Sequence, residues 1–207
     1  HSSRGLFYNH YSKFFPFRTY DILVTDMATL KDFRDERLRK LQDLRDLGFN
    51  PYPADSHRTH MAGDIHSRFD ELEHQTATVA GRITGIRKFG KLAFVVVKDF
   101  SGEIQLFLQE GHVSERDAAI GRLSIADLPL LDTADFVEAT GEIIKSKTGE
   151  VSLYVTDLRL LTKALRPLPS AQEGFTNKEE RMRRRYVDMN ANQEVRDRFV
   201  RRSKFWQ

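Results

Sequence analysis

The stretch Gly90-Lys91-Leu92-Ala93-Phe94-Val95-Val96-Val97-Lys98-Asp99-Phe100-Ser101-Gly102-Glu103-Ile104-Gln105-Leu106-Phe107-Leu108-Gln109 decides the fold. Side chains of an extended strand point alternately to its two faces. In the second half, Ile104, Leu106 and Leu108 make one apolar row, opposed by Glu103, Gln105, Phe107 and Gln109. That row predicts a strand over Glu103–Gln109 with its apolar side buried. The first half, Leu92–Asp99, is apolar on both faces: Ala93, Val95 and Val97 alternate with Leu92, Phe94 and Val96. Its own parity leaves the inward face open, and the better marked partner strand settles it. Phe100-Ser101-Gly102 joins the two runs as a turn.

Period two continues on both sides of this pair. Thr78–Arg87 predicts an earlier strand, with Gly81 and Gly85 placed where a bulge would bend it. Asp135–Lys145 and Val151–Leu161 predict two later strands joined through Lys147-Thr148-Gly149, where Gly149 can take the positive φ that a hairpin needs. Between the two groups, Val113–Leu131 reads as mostly helix and loop. Three strands, a helix and two strands is the order of the five-stranded OB barrel, a mainly β fold. Upstream, Leu30, Phe33, Leu38, Leu41, Leu44 and Leu47 form a helical stripe, closed by Gly48 and stopped by Pro51 and Pro53. Four parts are expected: a non-native or disordered leader over 1–26, with Met27 as the natural start; the helix and connector over 27–75; the barrel over 76–163; and over 164–207 a linker, marked by Pro167 and Pro169, and the start of a further domain.

Composition narrows the function classes. The 207 residues are 40% hydrophobic and carry a formal net charge of +3. This suffices for one sizeable core with extensions. With no cysteine, neither disulfides nor thiolate metal sites are available. His57 and His60 stand three residues apart without a nearby carboxylate pair at ligand spacing, so no metal site is expected. No apolar run approaches the roughly 18 residues that span a bilayer. No Walker loop, dinucleotide glycine motif or nucleophile elbow occurs, so this chain alone is expected to be inactive in bond chemistry. The expected compartment is the cytoplasm. Basic residues cluster between Lys178 and Lys204, as they would on a solvated helix face or against nucleic acid.

The polar side of the barrel strands carries the functional hint. Phe107 lies between Gln105 and Gln109, and in the last strand Tyr154 lies between Ser152 and Thr156. Flat rings among amides and hydroxyls suit single-stranded bases, which stack on the ring and hydrogen-bond to the amide. The competing expectation is that Phe94 and Phe107 pack beneath a loop or the leading helix.

Several strings together resemble bacterial class II lysyl-tRNA synthetases in their N-terminal region. They are Gly48-Phe49-Asn50-Pro51-Tyr52-Pro53, Val79-Ala80-Gly81-Arg82, Gly90-Lys91-Leu92-Ala93-Phe94, Gly102-Glu103-Ile104-Gln105-Leu106, Lys147-Thr148-Gly149-Glu150-Val151-Ser152, Leu160-Leu161-Thr162-Lys163-Ala164-Leu165-Arg166-Pro167-Leu168-Pro169 and Arg185-Tyr186-Val187-Asp188. The barrel opening would also suit aspartyl or asparaginyl enzymes, and the string from Leu160 and the Pro51-Tyr52-Pro53 turn favour lysine. The resemblance implies that the barrel binds the anticodon of lysine tRNA. Phe94 would stack on the central uridine, Arg87 and Gln105 would read that base, and Glu150 would contact the first anticodon base. Lys31, Arg34, Arg37, Phe107 and Tyr154 are further candidate RNA contacts. The parent would be a homodimeric lysine–tRNA ligase using ATP and Mg, with no cofactor in this chain; Arg201-Arg202-Ser203-Lys204 resembles the start of its motif one. A freestanding OB-fold protein for single-stranded nucleic acid is the alternative.

Overall fold

The computed structural model describes residues 29–146, 149–168 and 177–207. The leader expected over 1–26 and most of the linker from Pro169 lie outside the described residues. Strands β1 (Thr76–Phe89), β2 (Leu92–Lys98), β3 (Glu103–Gln109), β4 (Arg122–Leu123), β5 (Phe136–Lys145) and β6 (Val151–Thr162) form one sheet in the order β3-β2-β1-β5-β6-β4. A parallel pairing of β3 with β6 closes the five long strands into a barrel. β4, two residues long, is an appendage to β6.

The parity reading of β2 and β3 holds. Ala93, Val95, Val97, Ile104, Leu106 and Leu108 are all buried, and they join Val79, Ile83, Val137, Ile143, Leu153, Val155 and Leu158 in one core. The bulge expected in β1 is at Thr84, where the register with β2 shifts between Ile83 and Gly85. A second bulge, in β6, sets Gly141 against Val155 after Thr140 against Asp157. A methyl group on Gly141 would meet the carbonyl oxygen of Tyr154 at 2.1 Å, so a residue without a side chain is required there.

Two expectations differ from the structure. The Val113–Leu131 helix is replaced by two short 3-10 turns, Ala118–Ile120 and Ile125–Leu130, on either side of β4. Gly121 at φ +73° ends the first and Pro129 sits inside the second, which leaves no uninterrupted run long enough for an α-helix. The apolar stripe of helix α1 (Leu30–Asp46) is only partly buried. Leu41 and Leu44 face the barrel with Arg37, whereas Leu30, Phe33, Leu38 and Leu47 are exposed. Periodicity identifies the side a helix turns inward but not the length along which it meets a neighbour. At its start Thr29 and Asp32 form a reciprocal capping box, and Gly48 at φ +87° follows its end.

A buried ionic cluster ties α1 to the barrel. Lys163, with a fully buried side chain, contacts Asp132, lies 2.7 Å from Asp135 and donates to the Leu130 carbonyl at 2.9 Å. Lys40 of α1 reaches Asp132 at 2.7 Å. Burial would raise the Asp132 carboxyl, but the bonds from Lys163 and Lys40 outweigh it and hold Asp132 below the usual range. Arg37 donates to the carbonyls of Thr133 and Ala164 at 2.9 and 3.1 Å, and the Tyr52 hydroxyl donates to the Lys163 carbonyl at 3.1 Å. The turn at Pro51-Tyr52-Pro53 is thereby clamped to the segment after β6.

On another side of the barrel, Glu138 is buried and accepts from Arg159 at 2.9 Å and from the Ser56 hydroxyl at 2.7 Å, which fixes the connector containing His57. Helices α2 (Ala62–Ser67) and α3 (Phe69–Leu72) continue that connector. Helices α4 (Lys178–Arg183), α5 (Arg185–Ala191) and α6 (Gln193–Trp206) gather around buried Asp188, which pairs with Arg181 and Arg185 at 2.9 and 2.7 Å. Arg196 lies over the Phe100 ring, 5.2 Å from its centroid.

Two substitutions test this core. Leu106→Ala removes volume from a fully buried position and is expected to lower stability by about 2–5 kcal/mol. Lys163→Met leaves Asp135 buried without a counter-charge and is expected to cost about 3–5 kcal/mol. Urea unfolding followed by circular dichroism reads both, and a midpoint unchanged for Lys163→Met would show that the cluster does not hold α1 in place.

Candidate nucleic-acid interface

Pairing register sets the site. Arg87 of β1 lies opposite Phe94 of β2, Phe94 opposite Phe107 of β3, and Phe107 opposite Tyr154 of β6. Directly opposed residues share a face of the sheet. Four neighbouring strands therefore contribute one row on the outside of the barrel. The Phe94 and Phe107 rings stack with centroids 5.2 Å apart and planes 16° apart, and Phe107 and Tyr154 do so at 5.2 Å and 20°. This spacing is close to the roughly 4.8 Å between strands, as expected of rings standing upright from adjacent strands. All three rings are half-buried, and each stacks on its neighbour in the row.

Polar groups border the rings. Gln105 donates through Nε2 to the Ser152 hydroxyl at 3.1 Å, which orients its amide and leaves Oε1 without a hydrogen bond among the described residues. Arg87 is exposed, and its side chain makes no hydrogen bond or ion pair among the described residues. Glu150 is exposed at the foot of the β5–β6 hairpin, where Gly149 has φ +88°. Its N–H donates to the Ser146 hydroxyl at 3.0 Å, and its carbonyl accepts from the Ser146 N–H at 2.8 Å. Lys147 and Thr148 lie outside the described residues.

The candidate contacts on α1 are not brought to this row. Lys31 and Arg34 are exposed on α1, which packs against the Ile125–Leu130 turn and the approach to β5. There Arg82 pairs with Phe136, and Arg87 lies five residues farther along β1, about 16 Å away at strand rise. Arg37 requires a correction. It is 5% exposed and its guanidinium is committed to two backbone carbonyls, so it binds the fold together and presents no charge to a phosphate.

Three residues extend the row beyond the expected set. Phe89, 62% exposed, meets Phe94 edge to face at 6.2 Å. Gln109 accepts from the Tyr154 hydroxyl at 3.0 Å. His112 lies parallel to Tyr154, with centroids 3.7 Å apart and planes 1° apart. Phe89 shares the parity of Arg87 and was legible on that basis. His112 follows Gly111, at φ +83°, outside any strand, and no period marks it.

On the far side of Tyr154 in the register lies Glu142 of β5. Its carboxylate sits 2.6 Å from His74, and that hydrogen bond raises the imidazole above its ordinary value. His57, His60 and His66 are engaged instead with Glu138, Thr59 and the Glu103 carbonyl, at 3.3, 2.8 and 2.8 Å. Among the described residues no group of three or more His, Asp or Glu is placed to hold a metal ion. No helix among them is long and apolar enough to cross a membrane.

The barrel is an OB fold, and residues 77–161 match the family described as OB-fold nucleic acid binding domain. Over most of its length the chain is similar to lysine–tRNA ligases. It is 39% identical over 183 residues to that of Clostridium tetani (strain Massachusetts / E88), covering 88% of this chain and 35% of the relative. It is 42% identical over 178 residues to that of Roseiflexus sp. (strain RS-1), covering 84% and 35%. With the enzyme of Nostoc sp. (strain PCC 7120 / SAG 25.82 / UTEX 2576) it shares 40% over 180 residues, covering 84% and 32%. The chain is thus similar to part of the lysine–tRNA ligases and spans about a third of the length of these curated relatives.

The His74–Glu142 pair makes a pH prediction. A folded-state value raised above the unfolded one, about 6.5 for histidine, contributes stability below pH 6.5 that is lost as pH rises through the folded value. Proton NMR of the His74 ring should show a midpoint above 6.5, and Glu142→Gln should bring it down. An identical midpoint in the two proteins would refute the pairing.

Proposed function

We propose that this chain reads the anticodon of a lysine tRNA as the recognition part of a lysyl-tRNA synthetase. The observation that carries the proposal is the outward row Phe94–Phe107–Tyr154, bordered by Arg87 and the oriented amide of Gln105. Upright rings supply stacking surface to unpaired bases, the amide supplies a donor and an acceptor to a base edge, and the arginine supplies charge to base or phosphate. In this reading Phe94 stacks on the central base, Arg87 and Gln105 read it, and Glu150 contacts the first anticodon base. Phe107 and Tyr154 support the stack, while Lys31 and Arg34 meet the tRNA away from the row.

Homology to lysine–tRNA ligases favours this over a freestanding single-strand-binding protein. Residues 27–75 then serve as helix and connector, 76–163 as the anticodon domain, and 164–207 as linker and start of the catalytic domain. The whole enzyme would work in the cytoplasm as a homodimer, and ATP and Mg would belong to its catalytic domain.

The test is binding of a lysine tRNA anticodon stem-loop. Phe94→Ala should weaken it by the roughly 1–3 kcal/mol of one lost stack, and Gln105→Ala should weaken it too, both without moving the melting transition. Each phosphate neutralised on the single strand should contribute about −0.7 to the slope of log affinity against log salt. Should Phe94→Ala melt the protein yet bind normally once folded, Phe94 is a core residue and the proposal fails. Equal affinity for the stem-loop and an unrelated single strand would favour the freestanding alternative.

A further inference from the structure

We propose that His112 is a second base-stacking position, at the end of the ring column opposite Phe94, and that it receives another nucleobase of the same single strand. This rests on the anticodon-binding reading. The column is already stacked on itself. Its successive centroids, from Phe94 through Phe107 and Tyr154 to His112, are 5.2, 5.2 and 3.7 Å apart. A flat base entering between two rings needs twice the stacking interval of about 3.4 Å. None of these gaps admits one. Bases can therefore meet whole ring faces only at the ends of the column.

One end is Phe94, beside Arg87 and Phe89. The other is His112. Its ring is parallel to Tyr154 within 1°, and among the described residues no ring contact joins it to Phe107, so it covers the opposite face of Tyr154. Two bonds hold that end together: the Tyr154 hydroxyl to Gln109 Oε1 at 3.0 Å, and the His112 N–H to the Gln109 carbonyl at 3.1 Å. The His112 ring is half-buried, with its Nε2 edge turned inward and without a hydrogen-bond partner among the described residues. Stacking is thus what positions the imidazole, as in a platform and unlike a histidine anchored in a polar network. The two ends are more than two strand spacings of about 4.8 Å apart, so they suit bases splayed from a loop.

The experiment measures binding of the full chain, wild type, His112→Ala and His112→Phe, to the lysine anticodon stem-loop and to a set with one abasic nucleotide at each loop position. His112→Ala should weaken binding about fivefold or more, within the range for a lost stack. His112→Phe, which keeps a flat ring, should bind like wild type. One abasic position should weaken wild type but leave His112→Ala unaffected, and it should differ from the position that behaves so with Phe94→Ala. The inference is overturned if wild type binds while His112→Ala, at an unchanged melting temperature, binds within twofold of it. It is equally overturned if His112→Phe loses as much affinity as His112→Ala while melting like wild type. Failure of the wild type to bind the stem-loop at all would instead remove the anticodon reading itself.

Discussion

The closed barrel and its outward row depend on three residue pairs: Gln105 with Ser152, Leu106 with Leu153, and Phe107 with Tyr154, where β3 and β6 run parallel. Without that contact the sheet is an open ribbon with β3 at its edge. With it the sheet closes, the inward rows face one another, and the outward row runs unbroken from β1 to β6. The closure has a local requirement at Gly141, where the backbone of β6 passes too close for any side chain. The bulge beside it restores inward parity, so that Leu158 and Leu160 point to the core after Val155. A side chain at Gly141 would push away the strand that carries Tyr154.

The pleat separates stability from recognition. Leu106 and Leu153 face the core, while their neighbours Gln105, Phe107, Ser152 and Tyr154 join across strands toward the outside or the hairpin. The outer row is accordingly poor in commitments to the fold, apart from its own stacking and a few side-chain hydrogen bonds. The extensions are held elsewhere by charge. Lys163 with Asp132 and Asp135 secures α1 and the Pro51–Pro53 turn, and Arg159 with Glu138 secures the connector. Both clusters flank the start of β5, well removed from the row, so substitutions in the row should not loosen them.

What could be read from the sequence follows the same division. The β2–β3 alternation was legible because one of the two strands is polar on a single face, and from it came the inward set, the outward rings and the barrel order. The α1 stripe was legible as a helix but not as an interface, since Leu30 and Phe33 satisfy the period without touching the barrel. Arg37 was misassigned because a charged residue on a helix is usually exposed; its burial depends on Thr133 and Ala164, about a hundred residues away in sequence, whose carbonyls no local pattern brings near. His112 escaped for a similar reason, since a turn rather than a strand delivers it to Tyr154. The 3-10 turns were hidden by an apolar content that suits a helix, although Gly121 and Pro129 were there to argue against one.

The outward row across β1, β2, β3 and β6 is the surface proposed to meet RNA. The most direct measurement is NMR titration of labelled protein with a lysine tRNA anticodon stem-loop, following the aromatic and amide resonances of every strand. The largest shifts are expected at Arg87, Phe94, Gln105, Phe107 and Tyr154, with little change around Glu138 and Arg159. Shifts concentrated at Glu138, Arg159 and the connector, with the ring resonances of the row unmoved, would contradict the proposal.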